Sequence, residues 1–590
     1  MKKFFTTAFA CTLGTLIAGL LLFVLLLIGM TGVIASSVSS GNEVYIPQEK
    51  TILKLDLSGS LQERYVEDPM QSLMGNGATT QGLDQMRKAI KVATENDKVV
   101  GIYINARGLS AMPASSEEIR RLLVEFKEKS GKWIYAYADN YTQNDYIIAS
   151  VADSVIINPI GTVDVHGLGG LQIFFPGLFE KLGIEYQIFR VGTYKSAVEP
   201  YMCDKMSDAN REQTMAYLNT IWGTFAENVS LSRDFTTEHF NNVANEITSM
   251  RPTRDILAYN LADTTMYRPE FNEWLKAKVG VEKDKEVNFA TVAQLASVVE
   301  KENKSKNTVA VVYAVGDIME TGGEGINSEE LVPELTKIRK DENIKAVVLR
   351  VNSPGGSAYA SEQIWAELEA IQAAGKKVVV SMGDMAASGG YYISCGADYI
   401  FAENTTLTGS IGVFGAMPTA EKLMTEKLGL KFDAARTHKY SNAMSGEFIY
   451  QKFGEGERLA IQGMIEECYD LFTKRCAEGR GMTQDDIKKI AEGRVWVGKT
   501  AAELGLVDSI GSIDDAIAYA AQVSELEDYK VANYPAVKSS FEKLMEQFGS
   551  TSRMTVASWI LGEDTQLLQA LRSIENTDII QCRMDNITIE

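Results

Sequence analysis

The chain of 590 residues has only three histidines, His166, His239 and His438, no two of them close in sequence. With no H-E-x-x-H motif, this weighs against a His-rich metal site, and any hydrolytic chemistry must find its base elsewhere. Its six cysteines, Cys11, Cys203, Cys395, Cys468, Cys476 and Cys582, form no C-x-x-C pair. Zinc ribbons and thioredoxin-type redox are disfavoured, and the count is low for a disulfide scaffold. Basic charge is short as well: 58 Lys and Arg face 78 Asp and Glu, a net charge of −20. Such a surface argues against nucleic acid as a partner, which would need a basic face to neutralise phosphates. No sequence signal calls for a metal or another cofactor. What is abundant is apolar residue content, 45 %, enough for a sizeable core.

One long apolar run exists and no second. After Lys2 and Lys3 no charge appears until Glu43, and within that gap Leu13 to Ala35 is predominantly apolar. Its 23 residues would span roughly 34 Å as a helix, enough for a bilayer. The small residues Ala35, Ser36 and Ser37 offer a competing signal-peptide cleavage site, but the apolar part of a signal peptide is only about 7–15 residues. The expectation is a single-pass anchor with the lysines and N-terminus in the cytoplasm and the body on the outer side of the membrane.

From residue 51 onward, β-branched runs alternate with helical stretches, the pattern of an α/β fold. The body repeats itself. Asp97-Lys-Val-Val-Gly-Ile-Tyr-Ile-Asn105 parallels Asn343-Ile-Lys-Ala-Val-Val-Leu-Arg-Val-Asn352; Ala152-Asp153 matches Ala397-Asp398; Leu261-Ala262-Asp263 matches Leu506-Val507-Asp508. The offset is 247 at the first pair and 245 at the others, nearly constant over about 150 residues. Glu300-Lys-Glu-Asn-Lys-Ser-Lys-Asn307 reads as a polar linker. The expected organisation is an anchor over 1–44, an N-terminal repeat over 45–300, a linker over 301–307, a C-terminal repeat over 308–530, and a tail over 531–590 that is helical and amphipathic in part.

The halves differ where chemistry would sit. The C-terminal half has Asn352-Ser-Pro-Gly-Gly-Ser357 after its strand, then Gly383-Asp-Met-Ala-Ala-Ser-Gly-Gly390; in the N-terminal half Gln143 stands opposite Ser388. Among small neighbours the Ser388 hydroxyl is unobstructed, as in other nucleophile turns. Gly355 and Gly356 can turn their N–H groups toward a shared point and, with the Gly389 N–H, form an oxyanion hole. Alternatively the glycines serve tight turns and Ser388 caps a helix. Ser410, in Thr408-Gly-Ser-Ile-Gly-Val-Phe-Gly415, is the rival nucleophile, in a stretch that also reads as a strand edge or substrate groove. The serine needs a base. His438 lies in a polar run. Lys195, in Gly192-Thr-Tyr-Lys-Ser-Ala-Val-Glu-Pro200, and Lys439 occupy near-equivalent repeat positions, 52 residues past Gln143 and 51 past Ser388. A lysine acts as base only when desolvated, and the setting of Lys195 suits burial better.

Together these stretches resemble the signal peptide peptidase A family, membrane-anchored Ser–Lys serine endopeptidases with a caseinolytic-protease/crotonase-like fold. The resemblance covers essentially the whole chain and rests on Asn-Ser-Pro-Gly-Gly, Met-Ala-Ala-Ser-Gly-Gly-Tyr-Tyr, Leu-Thr-Gly-Ser-Ile-Gly-Val-Phe-Gly and Gly-Thr-Tyr-Lys-Ser-Ala-Val-Glu-Pro. It implies that the long, duplicated form draws its nucleophile from Ser388 and its general base from Lys195, each in a different half. The short form takes its lysine from about 50 residues past the serine, where Lys439 stands, so Lys439 is the alternative base. It further implies Gly356 and Gly389 as oxyanion donors, Ser410 as a lining residue of the substrate cleft, and a homotetramer in the bacterial inner membrane. The implied substrates are remnant signal peptides and other short or unfolded peptides. Two rival functions share parts of this reading: a crotonase-like acyl-CoA enzyme and a catalytically inactive membrane scaffold.

Overall fold

The computed structural model of the chain describes residues 12–15, 17–19, 21, 45–66, 80–282, 284–298, 303–323, 325–441, 443, 447–537 and 580–584. Of the expected anchor only 12–15, 17–19 and 21 are among them, and they are helical; the rest of that segment lies outside the described residues. Among the described residues no helix is long and apolar enough to cross a membrane.

The apolar runs of the N-terminal half form a parallel sheet in the order Thr80–Gly82, Thr51–Gln62, Val99–Ser110, Trp133–Ala138, Ser154–Ile157, Thr264–Thr265, with Phe289–Thr291 also paired to Thr51–Gln62. The central strand Val99–Ser110 opens on a run with no charged residue, Val-Val-Gly-Ile-Tyr-Ile, because a parallel sheet is covered on both faces. The C-terminal half repeats the order: Thr308–Val315, Ile344–Ser353, Lys377–Ala387, Tyr399–Ala402 and Ser509–Ile510 follow one another through parallel pairs. Equivalent strands begin 245 residues apart, at 99 and 344, 154 and 399, 264 and 509.

The matched aspartates explain what the repeat preserves. Asp153 Oδ2 accepts from Ile134 N at 2.8 Å, as Asp398 Oδ2 does from Val378 N at 2.9 Å. Asp263 Oδ2 accepts from Val155 N at 2.7 Å, as Asp508 Oδ2 does from Ile400 N at 2.8 Å. Each satisfies the N–H of the second residue of a neighbouring strand. Arg233 and Arg480, each the last residue of a 26-residue helix, clamp Asp263 and Asp508 at 2.6 and 2.5 Å.

The halves are interlocked rather than strung on a linker. A third sheet, ordered Ile326–Asn327, Ile318–Met319, Gly355–Ser357, Gln581–Arg583, Val413–Thr419, Glu185–Val191, takes strands from both. Glu185–Val191 runs antiparallel to Val413–Thr419 over seven residue pairs. The cores mix accordingly: Ala387, Leu407, Val495 and Val497 join the N-terminal core, and Phe189 joins the C-terminal one. Helix Pro113–Ser130 supplies polar anchors across the seam. Asp384 accepts from Ser115 N at 2.8 Å and Ser115 Oγ at 2.6 Å, and Glu117 accepts from Thr405 Oγ1 at 2.7 Å.

Two boundaries shift. Within the expected linker, Asn303 and Ser305 bond the Tyr529 and Asp528 carbonyls, so this stretch is docked. The strand Lys530–Tyr534 pairs in parallel with Thr308–Val315, which carries the C-terminal sheet past residue 530. The described residues of the tail include two strands, Lys530–Tyr534 at the edge of the C-terminal sheet and Gln581–Arg583 inside the third sheet; the expected helical portion lies outside the described residues.

Candidate active site

Strand Lys377–Ala387 ends in a sharp turn into the short helix Gly389–Tyr392. Ser388 sits on that turn with φ 56° and ψ −112°, a left-handed conformation that a non-glycine residue adopts only under constraint. The constraint is visible: Ser388 N donates to Gly409 O at 2.8 Å, and Tyr392 N donates back to Ser388 O at 2.8 Å. Ser388 is fully buried.

Lys195 arrives from the other half. Strand Glu185–Val191 leads into the turn Gly192–Tyr194, which Glu492 holds by accepting from Thr193 N (2.9 Å, side chain) and Tyr194 N (2.8 Å, main chain). A Cβ on Gly493 would lie 2.7 Å from Lys195 N, so only glycine lets the lysine backbone seat there. Gln213 Nε2 donates to Tyr194 O at 3.0 Å, while its Oε1 accepts from Val495 N at 3.1 Å.

Lys195 Nζ lies 2.8 Å from Ser388 Oγ, 3.1 Å from Ser410 O and 3.1 Å from Ser410 Oγ. Burial pulls its pKa down from the ordinary lysine value to about 7, with Cys582 opposing weakly. In the neutral form Nζ has two hydrogens and one lone pair. The Ser410 carbonyl can only accept, and takes one hydrogen; the Ser410 hydroxyl accepts the other. The lone pair is thereby left facing Ser388 Oγ, the direction a base needs.

The glycines face the same space. A Cβ on Gly389 would stand 3.1 Å from Gly356 N and 2.7 Å from Ser361 Oγ. A Cβ on Gly356 would stand 1.9 Å from Ile318 O, because strand Ile318–Met319 is paired there. The expectation for Gly355 N–H is corrected: it donates to Ser353 Oγ at 3.1 Å and is spent within the turn. Gly356 and Gly389 remain as the converging pair.

Other sequence candidates fall elsewhere. Lys439 is exposed and lies over the Tyr440 ring at 4.9 Å, and its side-chain hydrogen bond with Tyr440 raises its pKa rather than lowering it. Its polar run stays at the surface, so the alternative base is not brought to Ser388. His438 is exposed and bonded to Thr437. Ser410 joins the lysine rather than standing apart from it. Gln143, opposite Ser388 in the repeat, accepts from His166 N at 2.9 Å and Gly167 N at 3.0 Å, so the N-terminal copy uses this position to tie down a loop.

Sequence reading missed Glu492, Gly493 and Gln213, which position the lysine. Glu492-Gly493 is a turn signal, but nothing in its pattern says whose backbone it receives. It missed residues 580–584 entirely.

Comparison with known proteins bears on this geometry. The peptidase family S49 profile matches residues 126–282 and 370–527, one segment in each half, and that of the Clp protease family matches 300–406. "Protease 4" of Salmonella typhi is 34 % identical over 519 residues, covering 85 % of this chain and 83 % of that one. "Protease 4" of Haemophilus influenzae is 35 % identical over 76 % of this chain and 74 % of its own. "Serine protease SPPA, chloroplastic" of Arabidopsis thaliana is 30 % identical over 92 % of this chain and 78 % of its own. The chain belongs to peptidase family S49, in the duplicated form with a mixed α/β, Clp-protease-like architecture, and is a serine protease.

Proposed function

We propose that this protein is a membrane-anchored endopeptidase with a Ser388–Lys195 dyad that degrades remnant signal peptides and other short or unfolded peptides. The observation that carries the dyad is the 2.8 Å approach of Nζ to Oγ by a lysine that is 1 % exposed and whose pKa lies near 7. Neutral Lys195 takes the Ser388 proton as Oγ attacks a peptide carbonyl. The N–H groups of Gly356 and Gly389 hold the oxyanion, Lys195 passes the proton to the leaving amine, and water releases the acyl group. Ser410 keeps the lysine oriented. The apolar run 13–35 supports the anchor in a bacterial inner membrane, with the body outside the cytoplasm, and the resemblance supports a homotetramer. A serine nucleophile with its own buried base favours this reading over acyl-CoA chemistry, which needs neither.

The test is covalent labelling with a fluorophosphonate, followed by peptide mapping of the adduct. The adduct is expected on Ser388, and Ser388→Ala or Lys195→Ala should abolish turnover of a quenched fluorogenic peptide while Lys439→Ala retains it. An adduct on Ser410, or full turnover in Lys195→Ala, overturns the assignment.

A further inference from the structure

The N-terminal half keeps a copy of the turn that carries the proposed oxyanion donors. At the offsets of the repeat, Gly108 and Leu109 stand where Gly355 and Gly356 stand, and Asn144 and Asp145 where Gly389 and Gly390 stand. The backbone agrees, since Gly108 and Gly355 both sit at positive φ, 88° and 105°. What fills the turn differs. Asp145 is fully buried, and its carboxyl group accepts from Gly108 N at 2.8 Å through Oδ2 and from Leu109 N at 3.0 Å through Oδ1. Asn144 Nδ2 donates to Leu109 O at 3.0 Å. Side chains thus occupy the turn from the two positions at which the C-terminal half has glycine.

The C-terminal half holds its turn by a smaller device. Ser353, also fully buried, accepts at Oγ from Gly355 N at 3.1 Å. Its counterpart in the N-terminal half is Ala106, which has no side-chain acceptor. The halves therefore differ by a paired exchange: Ser353 with Gly390 in one, Ala106 with Asp145 in the other. A buried amide needs an acceptor, so each half must supply one. The hydroxyl, two residues back along the chain, takes one amide; the carboxyl group, with two oxygens, takes both. A Cβ on Gly390 would lie 2.8 Å from Ser353 O, so a side chain enters this turn only with a shift of the backbone.

We propose that the N-terminal half contains a second oxyanion-type site whose ligand is built in, the Asp145 carboxyl group, and that Ser353 is the positioning residue that keeps the C-terminal site open. Ser353 fixes the turn through the Gly355 N–H alone and leaves the Gly356 N–H to the substrate oxygen. In the N-terminal half both amides are spent on Asp145. That half is closed at its hole as well as at its missing nucleophile, and it takes neither a peptide carbonyl nor a free carboxylate.

This rests on the proposed dyad and oxyanion pair, and the test separates it from them. Full-length variants are compared by thermal unfolding and by kcat and KM on a quenched fluorogenic peptide. Ser353→Ala should lower Tm and cut kcat about 10-fold or more, with a smaller change in KM. Adding Gly390→Asp to it transplants the N-terminal arrangement: Tm should recover while kcat falls about 100-fold further, because the carboxyl group takes the Gly356 N–H. A purely structural Ser353 would instead regain activity together with Tm, and that result overturns its role. The mirror pair covers a transplant that fails to fold. Asp145→Ala should lower Tm by orphaning two amides, Ala106→Ser with Asp145→Gly should restore most of the loss, and both should keep wild-type kcat. A wild-type Tm in Asp145→Ala overturns the second site. Ser388-dependent turnover with an unchanged kcat in Ser353→Ala overturns the positioning role while the dyad stands. Absence of Ser388-dependent turnover in wild type overturns the dyad, and the Tm series on Asp145 still decides the second site.

Discussion

Lys195 Nζ and Ser388 Oγ lie 2.8 Å apart although 193 residues separate them, and the lysine reaches the serine through a wall of backbone rather than through other charges. Burial is the main influence on its pKa, and the Cys582 thiol offsets it only in part. A base set by desolvation alone has a simple pH signature. Only neutral Lys195 can accept the Ser388 proton, so kcat/KM should rise about tenfold per pH unit below 7 and level off above it. A stopped assay across pH 5 to 9 checks this. A flat profile, or one falling from pH 6 to 8, would remove Lys195 from the role.

The same burial carries a cost in stability. The lysine is held near pKa 7 in the folded chain against 10.5 when solvated. A lysine whose folded value is depressed destabilises most below the folded pKa, where it must be charged in both states, and the penalty is relieved as pH rises toward the unfolded value. At about 1.4 kcal/mol per pKa unit the penalty is on the order of a few kcal/mol, less what the bonds to Ser388 and Ser410 return. Lys195→Met should therefore be inactive yet more heat-resistant than wild type at pH 6, by several degrees in a calorimetric scan. The gain should shrink between pH 7 and 10.

At the proposed oxyanion position the two glycines are required for different reasons. Gly356 is closed by Ile318 O, and a side chain there would push a strand aside. A Cβ on Gly389 would meet the end of a side chain, Ser361 Oγ, at 2.7 Å, and two backbone atoms, the Cys582 carbonyl oxygen and Gly356 N, at the less severe distance of 3.1 Å. Gly389→Ala should thus fold, with unchanged circular dichroism, and lose about 100-fold or more in kcat with a smaller change in KM. A loss confined to KM would place the residue in binding instead.

How much of this was legible in the sequence follows from the range of each interaction. The repeat was readable because Asp153, Asp398, Asp263 and Asp508 each do a local job, satisfying an N–H near the start of a neighbouring strand, and so recur at fixed spacing. Ser388 was readable because a left-handed turn between packed elements demands small neighbours on either side. The lysine loop was readable as a motif, but its support was not: Glu492 lies 299 residues from Thr193, and no periodicity links them. The spacing that offered Lys439 as a second base misled because repeat position is not burial; the loop around it is exposed. Residues 581–583 have no sequence signal of a strand in the third sheet, since main-chain pairing asks little of side chains.

The seam between the halves gives the last test. Arg350 is 1 % exposed and donates from Nε to Glu63 at 2.9 Å and from Nη2 to Glu118 at 3.0 Å, both in the N-terminal half. Its Nη1 donates to Ser381 Oγ at 2.9 Å. Burial pushes the Glu63 carboxyl up even with the arginine beside it, and the two carboxylates keep the guanidinium firmly protonated. Arg350→Met would leave Glu63 buried without its cation and Glu118 with only Arg87, 3.4 Å away, a loss of about 3–5 kcal/mol at neutral pH. Without the arginine the Glu63 pKa should climb further. A carboxyl whose folded pKa exceeds its unfolded value destabilises above the unfolded pKa, and progressively less as pH falls through the folded one. The variant should therefore recover much of its deficit near pH 5, measured by urea unfolding at pH 5 and 8. Since Arg350 stands on the strand that ends at Ser353, beside the oxyanion turn, peptide turnover at pH 8 should fall with stability. A deficit independent of pH would mean that lost packing, not the stranded carboxylates, dominates the seam.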